Sequence, residues 1–292
     1  MLLHTFEYLK PNSLGDVLNV LDELKGKKLQ VLAGGTDLIP RMRAMAKEPE
    51  YVVDLAATGL NQVVFEKDQA RIGALATFAT LGQHPQIRKR LPAIAEAAVK
   101  VGAVQTRTLA TIGGNLCEGV PSNDSAPSLL VLDATFRLQS KGKERMVAAD
   151  SFFLGPRRTV LEPGEIMTEI LVPLEPDFMS RFLRFGRRKA LTLSVASAAV
   201  GIALRNGQEI VRARIALGAV APTPVRARKA EQMLEGNKPT QELLAKAGDM
   251  AATEISPISD LRASADYRRK VSAVLVRRAL QDAIGQAKGV SQ

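Results

Sequence analysis

The chain has 292 residues, of which 46% are apolar and 24% are charged, and its formal net charge is +10. This length and composition predict a globular protein with a sizeable core. No run approaches the ~20 apolar residues of a membrane span, and the first residues lack the basic region and apolar core of a signal peptide. We therefore expect a cytoplasmic protein with no membrane span.

The first predicted unit is a small α/β arrangement over about residues 1–58. Ser13 suits the N-cap of a helix whose leucines and valines recur at three- and four-residue steps as far as Leu24. A buried strand at residues 29–33 enters a pair of glycines, a short helix covers residues 39–46, and a second strand covers residues 51–55.

A second unit, over about residues 59–175, is predicted to be an α+β arrangement with its own sheet. It begins with a hairpin at residues 63–65 and 71–75, followed by helices from about residue 77 and over residues 92–101. Short strands are predicted at residues 129–132, 135–139, 145–147 and 166–172. The two units are expected to enclose a ligand crevice between them.

The prolines at positions 173 and 176 mark a boundary, because proline lacks a donor for strand pairing and stiffens a linker. Beyond it, strands are predicted at residues 181–185, 195–205 and 210–220, and the hairpin signal Asn206-Gly207 joins the last two. Helices follow near residues 225–234, 240–252 and 265–287. Residues 177–290 therefore predict a C-terminal domain made of a three-stranded antiparallel sheet with helices.

Metal ligands are scarce in the sequence. Cys117 is the only cysteine, and His4 and His84 are the only histidines. The chain is therefore not expected to form a disulfide, a zinc site or a cysteine-ligated cluster by itself. Neither histidine lies in a motif that suggests catalysis, so we assign no catalytic residue and no metal site.

The basic charge raises nucleic acid as a partner, because clustered Lys and Arg neutralise phosphates. The basic residues are scattered, however, apart from residues 184–189 and 268–270, and only 4% of the residues are aromatic. Few side chains are thus available to stack on bases. We expect no nucleic-acid partner, and the charge suits a solvated face, an anionic cofactor or an acidic partner subunit.

Two glycine pairs, Gly34-Gly35 and Gly113-Gly114, occur in near-matching contexts, each after an apolar run typical of a strand. Paired glycines allow close approach of the backbone, and their successive N–H groups can turn toward one anion. Neither pair has the spacing of a P-loop or of a Rossmann fingerprint. Two interpretations remain: a diphosphate ligand held by turns from two units, or glycines that serve only a tight turn or close packing.

Asp124 ends a polar loop that follows the second glycine pair. Its carboxylate is suited to accept hydrogen bonds from sugar hydroxyls. The residues alone favour the alternative, an Asx-turn or a helix cap before the next apolar run.

Three motifs resemble one family, the FAD-binding medium subunits of the molybdenum hydroxylases, which include xanthine dehydrogenase and carbon monoxide dehydrogenase. They are AGGTD at residues 33–37, RTLATIGGNLC at 107–117 and GEIM at 164–167. The resemblance covers almost the whole chain. APTPVR at 221–226 and LRAS at 261–264 are similar to bacterial xanthine dehydrogenase flavin subunits in particular.

The resemblance implies an α+β fold: a two-subdomain FAD-binding fold of the vanillyl-alcohol-oxidase (PCMH-like) type over residues 1–175, and a C-terminal domain of the CO dehydrogenase flavoprotein type over residues 177–290. By motif position it implies that the FAD contacts are Val31, Leu32, Ala33, Gly34, Gly35, Thr36, Asp37, Leu38, Val101, Ala110, Thr111, Ile112, Gly113, Gly114, Asn115, Asp124, Met167 and Arg184.

Some of these implied contacts have a more specific role. Asp124 moves from a helix cap to a cofactor contact. Arg184 stands where relatives usually have Lys, and near the ring it would favour the anionic reduced flavin; a surface basic strand is the alternative. Met167 stands where relatives usually have Leu. Val101 or Leu193 would cover a ring face.

The function implied is that of an electron-transfer subunit. Electrons would leave a substrate at a molybdenum cofactor in a large subunit, cross [2Fe-2S] clusters in a small iron–sulfur subunit and reach FAD in this chain, which then reduces NAD, quinone or another acceptor. A dimer of heterotrimers is expected. The alternatives are a stand-alone FAD oxidoreductase and a basic binding protein that is not an enzyme.

Overall fold

The computed structural model describes residues 4–290. The first unit is a parallel sheet in the order β1-β3-β2 with two helices, made of β1 (Glu7–Leu9), α1 (Leu14–Glu23), β2 (Leu29–Leu32), α2 (Leu38–Arg43), β3 (Tyr51–Asp54) and a 3₁₀ turn (Ala56–Thr58). Ser13 caps α1, because its hydroxyl accepts a hydrogen bond from the Asp16 N–H at 3.1 Å. The helix buries Val17 and Leu21 against Val53 of β3. The elements predicted for this unit are confirmed.

The second unit is a five-stranded antiparallel sheet in the order β4-β5-β10-β6-β7, covered by helices. Its elements are β4 (Val63–Phe65), β5 (Gln69–Gly73), α3 (Phe78–Gln83), α4 (Pro85–Arg90), α5 (Pro92–Ala98), α6 (Val104–Leu109), α7 (Ile112–Glu118), α8 (Ser125–Val131), β6 (Thr135–Ser140), β7 (Lys143–Ala148), α9 (Ala149–Phe152), β8 (Phe153–Gly155), β9 (Arg158–Thr159) and β10 (Ile166–Pro173). Strands β8 and β9 form a separate hairpin. Phe78, Phe136 and Phe152 are fully buried in the core between the sheet and the helices.

Two predictions for this unit are wrong. Residues 129–132, predicted as a strand, belong to the buried helix α8 and its end. The residues before the second glycine pair form α6, and the pair itself lies in the first turn of α7. Residues 129–132 are buried on all sides, and a short apolar run of that kind fits a strand and a helix equally well. Helix α6 is different, because it buries none of its residues.

The C-terminal unit is an antiparallel sheet in the order β11-β12-β13-β14, packed by three helices. Its elements are β11 (Phe178–Gly186), β12 (Ser194–Arg205), β13 (Glu209–Gly218), β14 (Val225–Arg226), α10 (Arg228–Leu234), α11 (Gln241–Thr253) and α12 (Ala265–Val290). Asn206 and Gly207, at φ of 51° and 67°, form the predicted hairpin turn. The three predicted strands are present, and β14 adds a short fourth where a helix was predicted to begin.

Helix α8 joins the second unit to the C-terminal sheet, because it packs against both β12 and β13. Its last carbonyls accept hydrogen bonds from C-terminal arginines: Leu130 O from Arg226 at 3.1 Å and Val131 O from Arg214 at 3.3 Å. Cations are favourable at this end of a helix. No helix within residues 4–290 is long and apolar enough to cross a membrane.

Candidate functional site

A cleft of about 380 Å³ lies where the turn after β2, helices α6 and α7, and the segment between β11 and β12 meet. We call it the central cleft. Its volume falls in the range of about 300–1,000 Å³ usual for small-molecule and cofactor sites. The predicted contact residues that line it are Val31, Ala33, Gly34, Gly35, Thr36, Asp37, Leu38, Val101, Ala110, Thr111, Gly114 and Asn115.

The first glycine pair lies in a turn over residues 33–37, the glycine turn, and every residue of this turn lines the central cleft. Within the described part of the chain, the N–H groups of residues 34–37 have no hydrogen-bond partner. Gly35 adopts a φ of 70°, which favours glycine. A Cβ on Gly34 would lie 1.9 Å from the Leu109 carbonyl oxygen, so glycine there allows the turn to pack directly against α6.

The second glycine pair differs from the predicted second clasp. Thr111 caps α7, and its Oγ1 accepts a hydrogen bond from Gly114 N–H at 3.1 Å. Gly113 N–H donates to Ala74 O at 2.8 Å, and a Cβ on Gly113 would lie 2.6 Å from the Ala74 Cβ. These N–H groups are already satisfied, so Gly113 serves the packing of α7 against residue 74. Only the first pair offers free donors to an anion.

Arg184 does not reach into the central cleft as a free cation. Its Nη1 donates to Asp124 Oδ2 at 2.7 Å, and both side chains are more than 90% buried. Asp124 Oδ1 also accepts from Ser194 Oγ at 2.5 Å. Burial raises the pKa of the Asp124 carboxyl, and Arg184 and Ser194 oppose that shift. Neither member of the pair is among the residues that line the central cleft, and their contacts with FAD stay predictions.

The same guanidinium joins two walls of the central cleft. Arg184 Nη1 also donates to Lys100 O at 2.9 Å, and Nη2 donates to Thr192 O at 2.7 Å. Leu191 N–H in turn donates to Gly102 O at 3.1 Å. Arg184 and the hydrogen bond between Leu191 and Gly102 thus hold the segment after α5 and the segment before β12 together.

Four other predicted contact residues do not line the central cleft: Leu32, Ile112, Gly113 and Met167. Ile112 and Met167 are buried in the core between the five-stranded sheet and its helices. Lining residues that the sequence analysis did not assign are Gly102, Thr106, Glu118, Leu191 and Thr192. Thr106 lies four residues before Ala110, and this helical spacing is a sequence signal that could have identified it.

Two family models cover nearly the whole chain. Residues 4–175 match the FAD binding domain in molybdopterin dehydrogenase, and residues 181–283 match the CO dehydrogenase flavoprotein C-terminal domain. The chain belongs to the FAD-binding medium subunits of the molybdenum hydroxylases. It is therefore an oxidoreductase subunit with an FAD-binding domain.

Relatives of this medium subunit are similar over their full length. The carbon monoxide dehydrogenase medium chain of Hydrogenophaga pseudoflava is 35% identical, with 95% of this chain and 96% of that one aligned. The xanthine dehydrogenase FAD-binding subunit of Escherichia coli O157:H7 is 30% identical, with 98% of each chain aligned. The solved structure of the Hydrogenophaga carbon monoxide dehydrogenase lacking the Mo-pyranopterin moiety superimposes with a TM-score of 0.93 over 98% of this chain and 99% of that one.

The residues of this medium subunit fit FAD. Free N–H groups at the glycine turn suit diphosphate oxygens, and the hydroxyls of Thr36 and Thr111 lie in the same cleft. Val101 and Leu193 add apolar surface to it, as a flat ring requires. The donors and the apolar surface thus occur together in one cleft.

Proposed function

We propose that this chain is the electron-transfer subunit of a heteromeric molybdenum hydroxylase of the xanthine dehydrogenase type, working in the cytoplasm. Electrons from [2Fe-2S] clusters in a small subunit reach the FAD held here and pass to NAD or another acceptor. The substrate is oxidised at a molybdenum cofactor in a large subunit, and the assembly is a dimer of heterotrimers. Residues 1–175 form the FAD-binding domain, and residues 177–290 form the C-terminal domain.

The observation that carries this proposal is the glycine turn in the central cleft. Its N–H groups from residue 34 to residue 37 have no partner in the described chain and would otherwise be satisfied only by water. A diphosphate supplies acceptors for several of them at once. When bound, FAD takes up electrons one at a time and releases them in pairs, so it can connect clusters to a two-electron acceptor.

The contribution of the chain is to hold and cover the ring. Side chains flanking the central cleft are apolar and exposed: Val104 by 65%, Leu109 by 60%, Leu191 by 58% and Leu193 by 47%. An exposed apolar rim of this kind suits contact with another protein chain. The single cysteine leaves cluster ligation to such a partner.

Co-purification tests the assembly. The tagged chain is co-expressed with candidate iron–sulfur and molybdenum subunits encoded next to it, and the eluate is assayed for FAD, iron and molybdenum. We expect the three subunits to elute together with about one FAD per copy of this chain. The isolated chain should take up FAD and reduce a dye with NADH, but should not oxidise a purine, an N-heterocycle or an aldehyde. Substrate turnover by the isolated chain would contradict the proposal.

A further inference from the structure

Two guanidinium groups share one carboxylate oxygen at the edge of the central cleft. Arg41 Nη1 and Arg157 Nη1 both donate to Glu118 Oε1, and Glu118 lines the cleft. The side chains are accessible, with exposures of 29% for Arg41, 48% for Arg157 and 19% for Glu118. Of the three, only Glu118 lines the central cleft, and the two arginines that contact it there are open to solvent and to a ligand.

Three separate elements bring this group together. Arg41 lies on α2, directly after the glycine turn, and Glu118 ends α7. Arg157 lies between β8 and β9 at a φ of 57°, where its N–H donates to Gly119 O at 2.8 Å. That hydrogen bond fixes the β8–β9 turn against the end of α7 and so directs Arg157 to Glu118.

Lys47 adds a third cation to the group. Burial lowers the pKa of its ammonium, and the nearby charges of Arg41 and Arg157 lower it further. Lys47 donates to Gln30 Oε1, which is uncharged. Its sequence neighbours Glu48 and Glu50 form no ion pair in residues 4–290. Within the described residues, Glu118 is thus the one carboxylate that pairs with Arg41 or Arg157, and Lys47 forms no ion pair.

Such an excess of positive charge at the mouth of a cleft favours the binding of an anion. Glu118 neutralises only one of the three cations, and its Oε1 is shared by the two arginines. A phosphate group, with up to two negative charges and several acceptor oxygens, matches what is left unpaired. The glycine turn, which lines the central cleft, directly precedes the helix that carries Arg41.

We propose that Arg41, Lys47 and Arg157 form a binding position for a nucleotide phosphate at the edge of the central cleft. This inference rests on the proposed function. The phosphate comes either from the diphosphate of FAD itself or from a second nucleotide that receives its electrons. Glu118 orients the two arginines and competes with the phosphate for them.

Substitutions of opposite expected sign test the inference. Lys47→Gln removes one cation without breaking the contacts of Glu118, and should weaken phosphate binding about fivefold. Glu118→Gln removes the carboxylate charge that competes with the phosphate, and should tighten phosphate binding by a similar factor. Lys89→Gln is the matched control, because Lys89 lies on α4 and lines a different cleft. Unfolding midpoints confirm that each variant is folded.

The two sources are separated by the ligands titrated. If the phosphate belongs to FAD, Lys47→Gln weakens FAD binding to the apoprotein and leaves riboflavin, which has no phosphate, unchanged. If it belongs to a second nucleotide, FAD binding is unchanged, and inorganic pyrophosphate titrated into the FAD-loaded chain binds more weakly to Lys47→Gln and more tightly to Glu118→Gln. Equal affinities for FAD and for pyrophosphate in all variants would overturn the inference, while FAD uptake by the wild-type chain would leave the proposed function standing.

Discussion

Arg184 and Asp124 form a buried ion pair, 2.7 Å between Nη1 and Oδ2, that links the C-terminal sheet to the start of α8. The other donors of Arg184 go to the carbonyls of Lys100 and Thr192, one on each wall of the central cleft. Opposite ends of α8 are thus bound to C-terminal residues, by Arg184 at the first turn and by Arg214 and Arg226 at the last. The shape of the central cleft depends on residues outside the FAD-binding domain.

Arg184→Met is therefore expected to lower the free energy of unfolding by about 3–5 kcal/mol, because Asp124 is left buried without its cation. FAD affinity should fall as well, since the two cleft walls lose their common donor. Urea denaturation and FAD titration measure the two effects. Arg181→Met is the matched control. Arg181 pairs with Glu96 at 2.5 Å, but these side chains are 28% and 30% exposed. Because water screens such a pair, Arg181→Met should lower the free energy of unfolding by about 1 kcal/mol or less. Equal losses in both variants would contradict a special role for Arg184.

Sequence reasoning located the glycine turn and most of the central cleft because the signal there is local. Gly34 and Gly35 directly follow a strand, and their backbone freedom is a property of the residues themselves. The roles of Arg184 and Gly113 depend on distant partners: Asp124 lies 60 positions before Arg184, and Ala74 lies 39 before Gly113. No periodicity or motif encodes such pairs, and the same limit explains why Arg157 beside Glu118 was not foreseen.

Gly34→Ala should abolish FAD binding and destabilise the fold. The added methyl group would overlap the Leu109 carbonyl oxygen, at 1.9 Å, so the glycine turn and α6 must separate. Gly35→Ala should lower the free energy of unfolding by about 1–2 kcal/mol, because alanine is strained in the left-handed backbone conformation of Gly35. Gly155→Ala is the control, because a Cβ there meets nothing within 4 Å. Flavin absorbance after incubation with FAD, together with thermal unfolding, compares the three; a Gly34 variant that behaves like the Gly155 variant would refute the packing argument.

Cys117 should react slowly with thiol reagents in the folded protein. Burial of its sulfur raises the pKa of the thiol to about 12, although the residue as a whole is only partly buried. At pH 8 only about one thiol in 10,000 is then ionised, and the thiolate is the reactive form. We expect labelling by an aromatic disulfide at pH 8 to be about 100-fold or more slower in buffer than in urea. Similar rates in the two solutions would show that the thiol is accessible.

Asp260 should contribute stability that is lost in acid. Burial opposes its ionisation, but hydrogen bonds from the backbone of Arg262 and from the side chains of Arg262 and Arg268 outweigh that effect and lower its pKa to about 2. In the unfolded chain, the pKa of an aspartate carboxyl is about 3.9. Because the folded pKa is the lower one, the contribution is fully present above about pH 4 and disappears as the pH falls toward 2. Asp260→Asn should therefore be less stable than wild type at pH 6, with the difference narrowing toward pH 2. Denaturation curves across this range measure it, and a difference that stays constant with pH would show that the carboxylate charge does not matter.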